Sequence, residues 1–297
     1  MKFAGIIAEY DPFHNGHAWQ LAQAKALGAE RVAVAMSCSL VQRGALPLLP
    51  EAIRTRSALT CGADLVFALP APCACAGAEA FARAGVALLA AAGCDGLVFG
   101  AETPDAALLM EAAELLDSDS YRAALKAQLA GGARSFAAAR QAAAAKLASD
   151  ERVAALLDKP NNNLAVEYCR AIRSLAPRME AYPLPRQGAN HGEALHSAHG
   201  QFASASALRK LWAEGGADAV APYVPEAVFP LYQEAYAAGQ YTDFSAAGRC
   251  ELALLRSACR GKAPFADIRG VSEGLEHRLE AAVRTCLLYT SPSPRDA

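Results

Sequence analysis

No apolar run in this 297-residue chain reaches the ~20 residues that a membrane-spanning helix needs, so no membrane span is expected. The opening "MKFAGIIAEYDPF" meets Glu9 and Asp11 too early for a secretory leader. None of the nine cysteines stands in a CxxC pair; Cys73 and Cys75 form only a CxC, which leaves no zinc motif. Scattered thiols, odd in number and mostly inside apolar runs, suit a reducing compartment. Charge of neither sign dominates. With 28 Lys and Arg against 30 Asp and Glu, the formal net charge is −2, so nucleic-acid binding would have to come from a local patch. These absences together predict a soluble cytoplasmic protein. What is abundant is apolar surface, at 54% hydrophobic against 20% charged residues. That composition excludes extensive disorder and supports one large domain, or one domain with an appendage.

Short apolar runs alternate with helical patterns. "FAGIIAE", "RVAVAMS", "ADLVFALP" and "GLVFGAE" are continuous and partly β-branched, as strands covered on both faces should be. Between them, "HAWQLAQAKALGA", "PEAIRTRSALTCGA" and "GAEAFARAGVALLAAAG" carry helix-period apolar residues and a glycine near the C-terminal end. The alternation predicts an α/β fold with a doubly wound, Rossmann-like parallel sheet. An Ala-rich stretch over about 104–157 reads as a helical insertion, and "RMEAYPLP" as a further strand. We expect a catalytic domain over 1–215, a helical C-terminal region over 216–284 and a tail over 285–297. The Pro/Ser-rich "TCLLYTSPSPRDA" belongs to no element. It is either a disordered tail or a foreign stretch following a reading frame cut short, and the second reading is preferred.

The chemistry is concentrated after the first strand. "HNGH" sets His14 and His17 at i and i+3, sharing one face of a first helical turn, where free N–H groups and the helix dipole suit an anion. Both imidazoles can donate to phosphate oxygens while Gly16 admits a base or ribose. The rival readings are a metal site with Glu9 and Asp11, disfavoured because the spacing is not HExxH, and a satisfied structural pair. "FASASALRK" places Ser204, Ser206 and Arg209 at a helix start, as a triphosphate grip or as ordinary capping. Arg43 in "QRG" is a crevice arginine or a solvated one. Gly100 in "FGAE" could admit an adenine edge, and "PNNN" offers amides for a ligand or for a cap.

In order, "GIIAEYDPFHNGH", "MSCSLVQRG", "ADLVFALP", "FGAE", "KPNNNLAVEY", "SASALR" and "EGLEHRL" resemble the bacterial tRNA(Met) cytidine acetate ligases of the HxGH nucleotidyltransferase superfamily. The resemblance runs to about Arg284. It implies the HxGH type of Rossmann-like fold, ATP-dependent activation of acetate, and acetylation of N4 of the wobble cytidine of elongator tRNA(Met). It implies that Ile7, Ala8, Glu9, Tyr10, Asp11, Pro12, Phe13, Asn15, Gly16, Gln20, Gly100, Asn161 or Asn162, and Arg186 contact ATP, with no metal ligands among the site residues. His14 and His17 would be catalytic, Arg43, Ser204, Ser206 and Arg209 would hold phosphates, and Mg²⁺ would bridge their oxygens. Two departures stand out. Cys38 and Ser39 replace the Gly and Asn of the family pattern, and the family's basic C-terminal segment is lacking, which implies weakened tRNA contact. Two other functions stay open: nucleotidyl transfer to a small phosphorylated acceptor, and a non-catalytic RNA-binding module. The absence of basic-aromatic interleaving speaks against the latter.

Overall fold

Continuous β-branched runs can be buried only in a sheet covered on both faces. The computed structural model describes the chain except residue 43 and residues 132–135, 186–194, 198–199, 261–264, 266, 269–270, 272–273 and 286–297. The five strands β1 (Phe3–Ala8), β2 (Arg31–Ser37), β3 (Leu65–Leu69), β4 (Gly96–Ala101) and β5 (Glu180–Pro185) form one sheet in the order β3-β2-β1-β4-β5. Every pairing in it is parallel, which gives the doubly wound α/β fold that the sequence predicts. The chain goes from β1 outward to β2 and β3, then returns to the other side of β1 as β4. A topological switch point therefore lies between β1 and β4, and a crevice opens there at the strand C-termini.

The helices are α1 (Asn15–Ala26), α2 (Glu51–Thr60), a short α3 (Ala71–Ala74), α4 (Ala78–Ala91), α5 (Ala106–Asp117), α6 (Asp119–Ala130), α7 (Phe136–Leu147), α8 (Glu151–Leu156), α9 (Pro160–Leu175), α10 (Ala205–Val220), α11 (Phe229–Ala237), α12 (Phe244–Ala258) and α13 (Leu275–Thr285). Alternate residues of β2 feed opposite cores. Ala33 and Ala35 meet α4 and α9 residues such as Leu89 and Val166, whereas Val32, Val34 and Met36 meet Leu21, Trp212 and Tyr232 from α1, α10 and α11. Among the described residues, no helix is long and apolar enough to cross a membrane.

Four helices, α5 to α8, occupy the Ala-rich stretch between β4 and α9. They are fastened to α9 by charge as well as by apolar packing. Glu167 is 4% exposed, and its carboxylate accepts from Arg140 on α7 and from Arg170, which also holds Asp117 at the end of α5. Burial works against the Arg170 charge, but the two carboxylates overcome it and raise the pKa of the guanidinium.

A hairpin of β6 (Leu195–Ser197) and β7 (Gly200–Phe202) lies between β5 and α10. Strands of three residues carry no measurable alternation, so the sequence pattern does not reveal them. The first compact unit spans Met1–Tyr241, and Thr242–Ala297 form a second. Residues 216–241, expected within a separate helical region, instead complete the core beneath β1. Val220, Val228, Leu231 and Tyr232 pack with Tyr10 and Phe13, and Tyr232 Oη donates to the Phe13 carbonyl at 2.7 Å. Within the second unit, Cys259, Phe265 and Val283 form a small core, and Arg256 Nε donates to the Val283 carbonyl. The expected tail lies outside the described residues from 286 onward.

One buried side chain ties the strand ends together. Arg54 on α2 is fully buried; its Nε donates to Leu49 O at 3.0 Å, and Nη1 donates to Glu9 O and Ser37 O at 2.7 Å each. Nη2 donates to Cys38 O. Burial pulls the pKa of this guanidinium down, while Asp11, Glu51 and Glu9 push it back up, and an arginine stays charged in such a place. Arg54→Met, similar in length, would strand four carbonyls. We expect it to cost roughly 3 kcal/mol or more in urea unfolding. Arg54→Lys should recover little of this, because an ammonium cannot fork to three segments. A Met variant as stable as the parent would contradict this role.

Candidate active site

A cavity of about 280 Å³ occupies the switch point, bordered by Ile7 of β1, Gly100 of β4, His14 and His17 of α1, and Asn161 and Tyr168 of α9. Gln20 also borders it, and its Nε2 donates to Val98 O at 3.1 Å, pinning α1 across to β4. Tyr10 starts the turn out of β1 at φ 50, a left-handed conformation unusual for a large residue. Its ring is held edge-on to Phe13 and His17, and burial pushes its phenol strongly up.

The two histidines build their own support. His14 is the N-cap of α1, and its Nδ1 accepts from Gly16 N at 3.0 Å; His17 Nδ1 accepts in return from His14 N at 3.3 Å. This is a capping box in which imidazoles take the places of the usual hydroxyl and carboxylate. A ring nitrogen that accepts a hydrogen bond carries no proton, so each neutral ring keeps its proton on Nε2. The rings stack with centroids 3.8 Å apart. Two stacked imidazoles thus stand at the positive end of a helix, on the wall of the crevice. Gly16 has a more local reason than ligand access. A Cβ there would lie 2.9 Å from His14 Cε1 and 3.1 Å from its Nδ1, so the cap itself requires glycine.

The loop between β1 and α1 is otherwise turned inward. Asp11 is 4% exposed: Oδ1 accepts from Leu48 N at 2.6 Å, and Oδ2 pairs with Arg209 Nη1 at 3.0 Å. Arg209 Nη1 also donates to Asp11 O at 2.6 Å. Arg209 is therefore a clamp on this loop as well as a phosphate candidate. Glu9 Oε1 accepts from Gln42 N at 2.6 Å, which anchors the chain next to Arg43. Pro12, Phe13 and Asn15 are buried, and Asn15 Nδ2 donates to Pro222 O. Ser204 caps α10 by accepting from Ala207 N, contacts Ser206 at 3.1 Å, and remains on the rim of the crevice. Cys38 Sγ donates to Leu69 O, and burial together with Glu51 raises its pKa.

At the opposite wall, the "PNNN" amides already have a partner. Glu102, just past β4, accepts from Asn161 N and Nδ2 with Oε1 and from Asn162 N with Oε2. Asn162 is 1% exposed and exchanges two hydrogen bonds with Thr103. Of the two asparagines, only Asn161 borders the cavity.

The structure thus brings His14, His17, Ile7, Gly16, Gln20, Gly100, Asn161 and Ser204 around one crevice. It sets Tyr10, Asp11, Pro12, Phe13, Asn15 and Asn162 behind it as support. Ala8, Glu9, Ser206 and Arg209 do not border the cavity, and Arg43 and Arg186 lie outside the described residues. Sequence reasoning missed Arg54 and Glu102. The "FGAE" motif contained the second, but its partners lie 59 residues away. Among the described residues, no group of three or more His, Cys, Asp or Glu side chains could hold a metal ion.

A parallel sheet with this strand order and a histidine-capped helix at its switch point defines a nucleotidyl-transferase type of site. The family model described as HIGH nucleotidyl transferase matches residues 1–291. The tRNA(Met) cytidine acetate ligase of Syntrophotalea carbinolica is 36% identical over 288 residues, covering 96% of this chain and 67% of that protein. The enzyme of that name from Caldanaerobacter subterraneus is 34% identical over 290 residues, covering 95% and 70%. Among solved structures, Thermotoga maritima TmcAL bound with alpha-thio ATP superposes with a TM-score of 0.83 at 29% identity, covering 97% of this chain and 68% of that one. The chain belongs to the HIGH nucleotidyl transferase family and, within it, to the tRNA(Met) cytidine acetate ligases.

Gly16→Ala tests the cap. The added methyl must push the His14 ring off Gly16 N, so we expect about 1 kcal/mol of lost stability. We also expect a much larger fall in nucleotide affinity. Both are read from thermal melts with and without ATP; an unshifted ATP-induced rise in Tm would refute the coupling of cap to site.

Proposed function

We propose that the chain activates acetate with ATP and transfers the acetyl group to N4 of the wobble cytidine of elongator tRNA(Met). The observation that carries this reading is the pair of stacked imidazoles that cap α1 through Nδ1 and border the switch-point crevice. An acetate oxygen attacks the α-phosphorus in line, the bond to the bridging oxygen breaks, and pyrophosphate leaves. Negative charge grows on the α-phosphoryl oxygens, and His14 and His17 meet it without having to reorganise. The cytidine amine then attacks the acetyl carbonyl, AMP departs, and the amine loses a proton. No protein nucleophile is needed. Burial raises the Cys61 thiol to about 11, and the Cys94 and Cys169 thiols to about 12, so these are not poised as thiolates. Mg²⁺ would arrive bound to the triphosphate and neutralise part of its charge. The working compartment is the cytoplasm, where ATP and tRNA meet.

Acetate-dependent exchange of pyrophosphate into ATP is the test. We expect exchange with acetate above other small carboxylates, followed by acetylated tRNA(Met) when tRNA is added. His17→Ala should lower exchange by ~10²–10³, the usual cost of removing one such donor, while the fold survives. Exchange that needs no carboxylate, or that is unchanged in folded His17→Ala, would overturn the reading.

A further inference from the structure

Asn161 is a polar side chain on the α9 wall of the crevice whose orientation the structure fixes from behind. Its Nδ2 donates to Glu102 Oε1 at 2.6 Å, and its backbone N donates to the same oxygen at 3.2 Å. The second carboxylate oxygen is occupied by Asn162 N at 2.7 Å. An ionised carboxylate has no proton to give. The amide therefore cannot turn over, because that would place Oδ1 against Oε1, two acceptors at hydrogen-bond distance. Oδ1 and the second amide hydrogen are left for a ligand, and among the described residues nothing donates to Oδ1.

We infer that Glu102 sets the base preference of this crevice by holding Asn161 with its acceptor toward the ligand, so that the site takes adenine and rejects guanine. The inference rests on the ATP reading above. Adenine carries an exocyclic amine that donates to an amide oxygen and a ring nitrogen that accepts from the second amide hydrogen, which is the ordinary bidentate pairing of asparagine with adenine. Guanine carries a carbonyl where adenine carries its amine, and would set oxygen against oxygen. Gly100, which borders the same cavity without a side chain, leaves the approach of a flat base open. Asn162 cannot serve, because both ends of its amide are engaged by Thr103. Glu102 touches no ligand itself, so it is a positioning residue.

Calorimetric titration of ATP, GTP and CTP into the whole chain tests this, alongside purine riboside triphosphate, which lacks the 6-amine. We expect the parent to favour ATP over GTP and over the amine-less analogue by roughly fivefold or more. Asn161→Ala should lose that preference, and it should bind the analogue more weakly than the parent by only the one ring-nitrogen hydrogen bond. Glu102→Gln gives the amide a partner that can donate as well as accept, so both orientations of Asn161 become populated. The ATP-to-GTP ratio should then fall toward one, whereas a purely structural cap would weaken both nucleotides alike. A ratio retained in both folded variants overturns the inference and leaves the ATP reading standing; CTP binding as tightly as ATP overturns the assignment to adenine. A parent chain that binds none of these nucleotides overturns both readings.

Discussion

Everything at the carboxyl edge of the sheet hangs on a charge placed where water cannot reach. Parallel strands end with carbonyls that have no further ladder partner, and several such ends meet where the crevice forms. Arg54 answers Glu9, Ser37, Cys38 and Leu49 with one guanidinium. A planar, delocalised cation suits this task because it is weakly hydrated and its donors diverge. Removing it would leave several strong acceptors dry. The exits of β1 and β2 are thereby held in register, and the loop carrying the histidines starts from a fixed point.

From that point the site is assembled by groups that act in pairs. The two histidines complete one capping box between them, so the paired imidazoles and the helix start are one structure. Asp11 and Arg209 neutralise each other while clamping α10 onto the first loop. Glu102 closes the start of α9 and orients Asn161 in the same stroke. Such arrangements lower the cost of ordering the site when substrate enters, because that entropy was given up on folding.

The strands, their parallel order and the place of the crevice were legible because the signals are local. A buried run such as "RVAVAMS" or a helix start such as "HNGH" declares itself within a few residues. The resemblance supplied the family and most of the first-loop residues. What stayed illegible depends on distance in sequence. Arg54 looks like any polar residue on an exposed helix; only the fold reveals that its buried guanidinium reaches the exits of β1 and β2. Asn161 and Asn162 are indistinguishable in "PNNN", and one turn of helix sends one to the cavity and the other to Thr103. Sequence suggests room for a ligand at Gly16, whereas the atoms nearest an added Cβ are those of His14. Val220 to Ala235 carry no strand, so the pattern suggested a separate region, yet their apolar side chains close the core under β1.

The long reach of these contacts also imposes an order in time. Asp11 finds Arg209 across 198 residues of chain, Asn15 finds Pro222 across 207, and Phe13 finds Tyr232 across 219. The loop after β1 is therefore made early and finished late. At ordinary rates of synthesis it waits roughly ten to forty seconds for its partners to be made. During that interval the strands can pair, but the histidine cap lacks the walls that hold it. A nascent chain halted before residue 209 would carry the signature motif in full and still have no clamped site to offer a nucleotide.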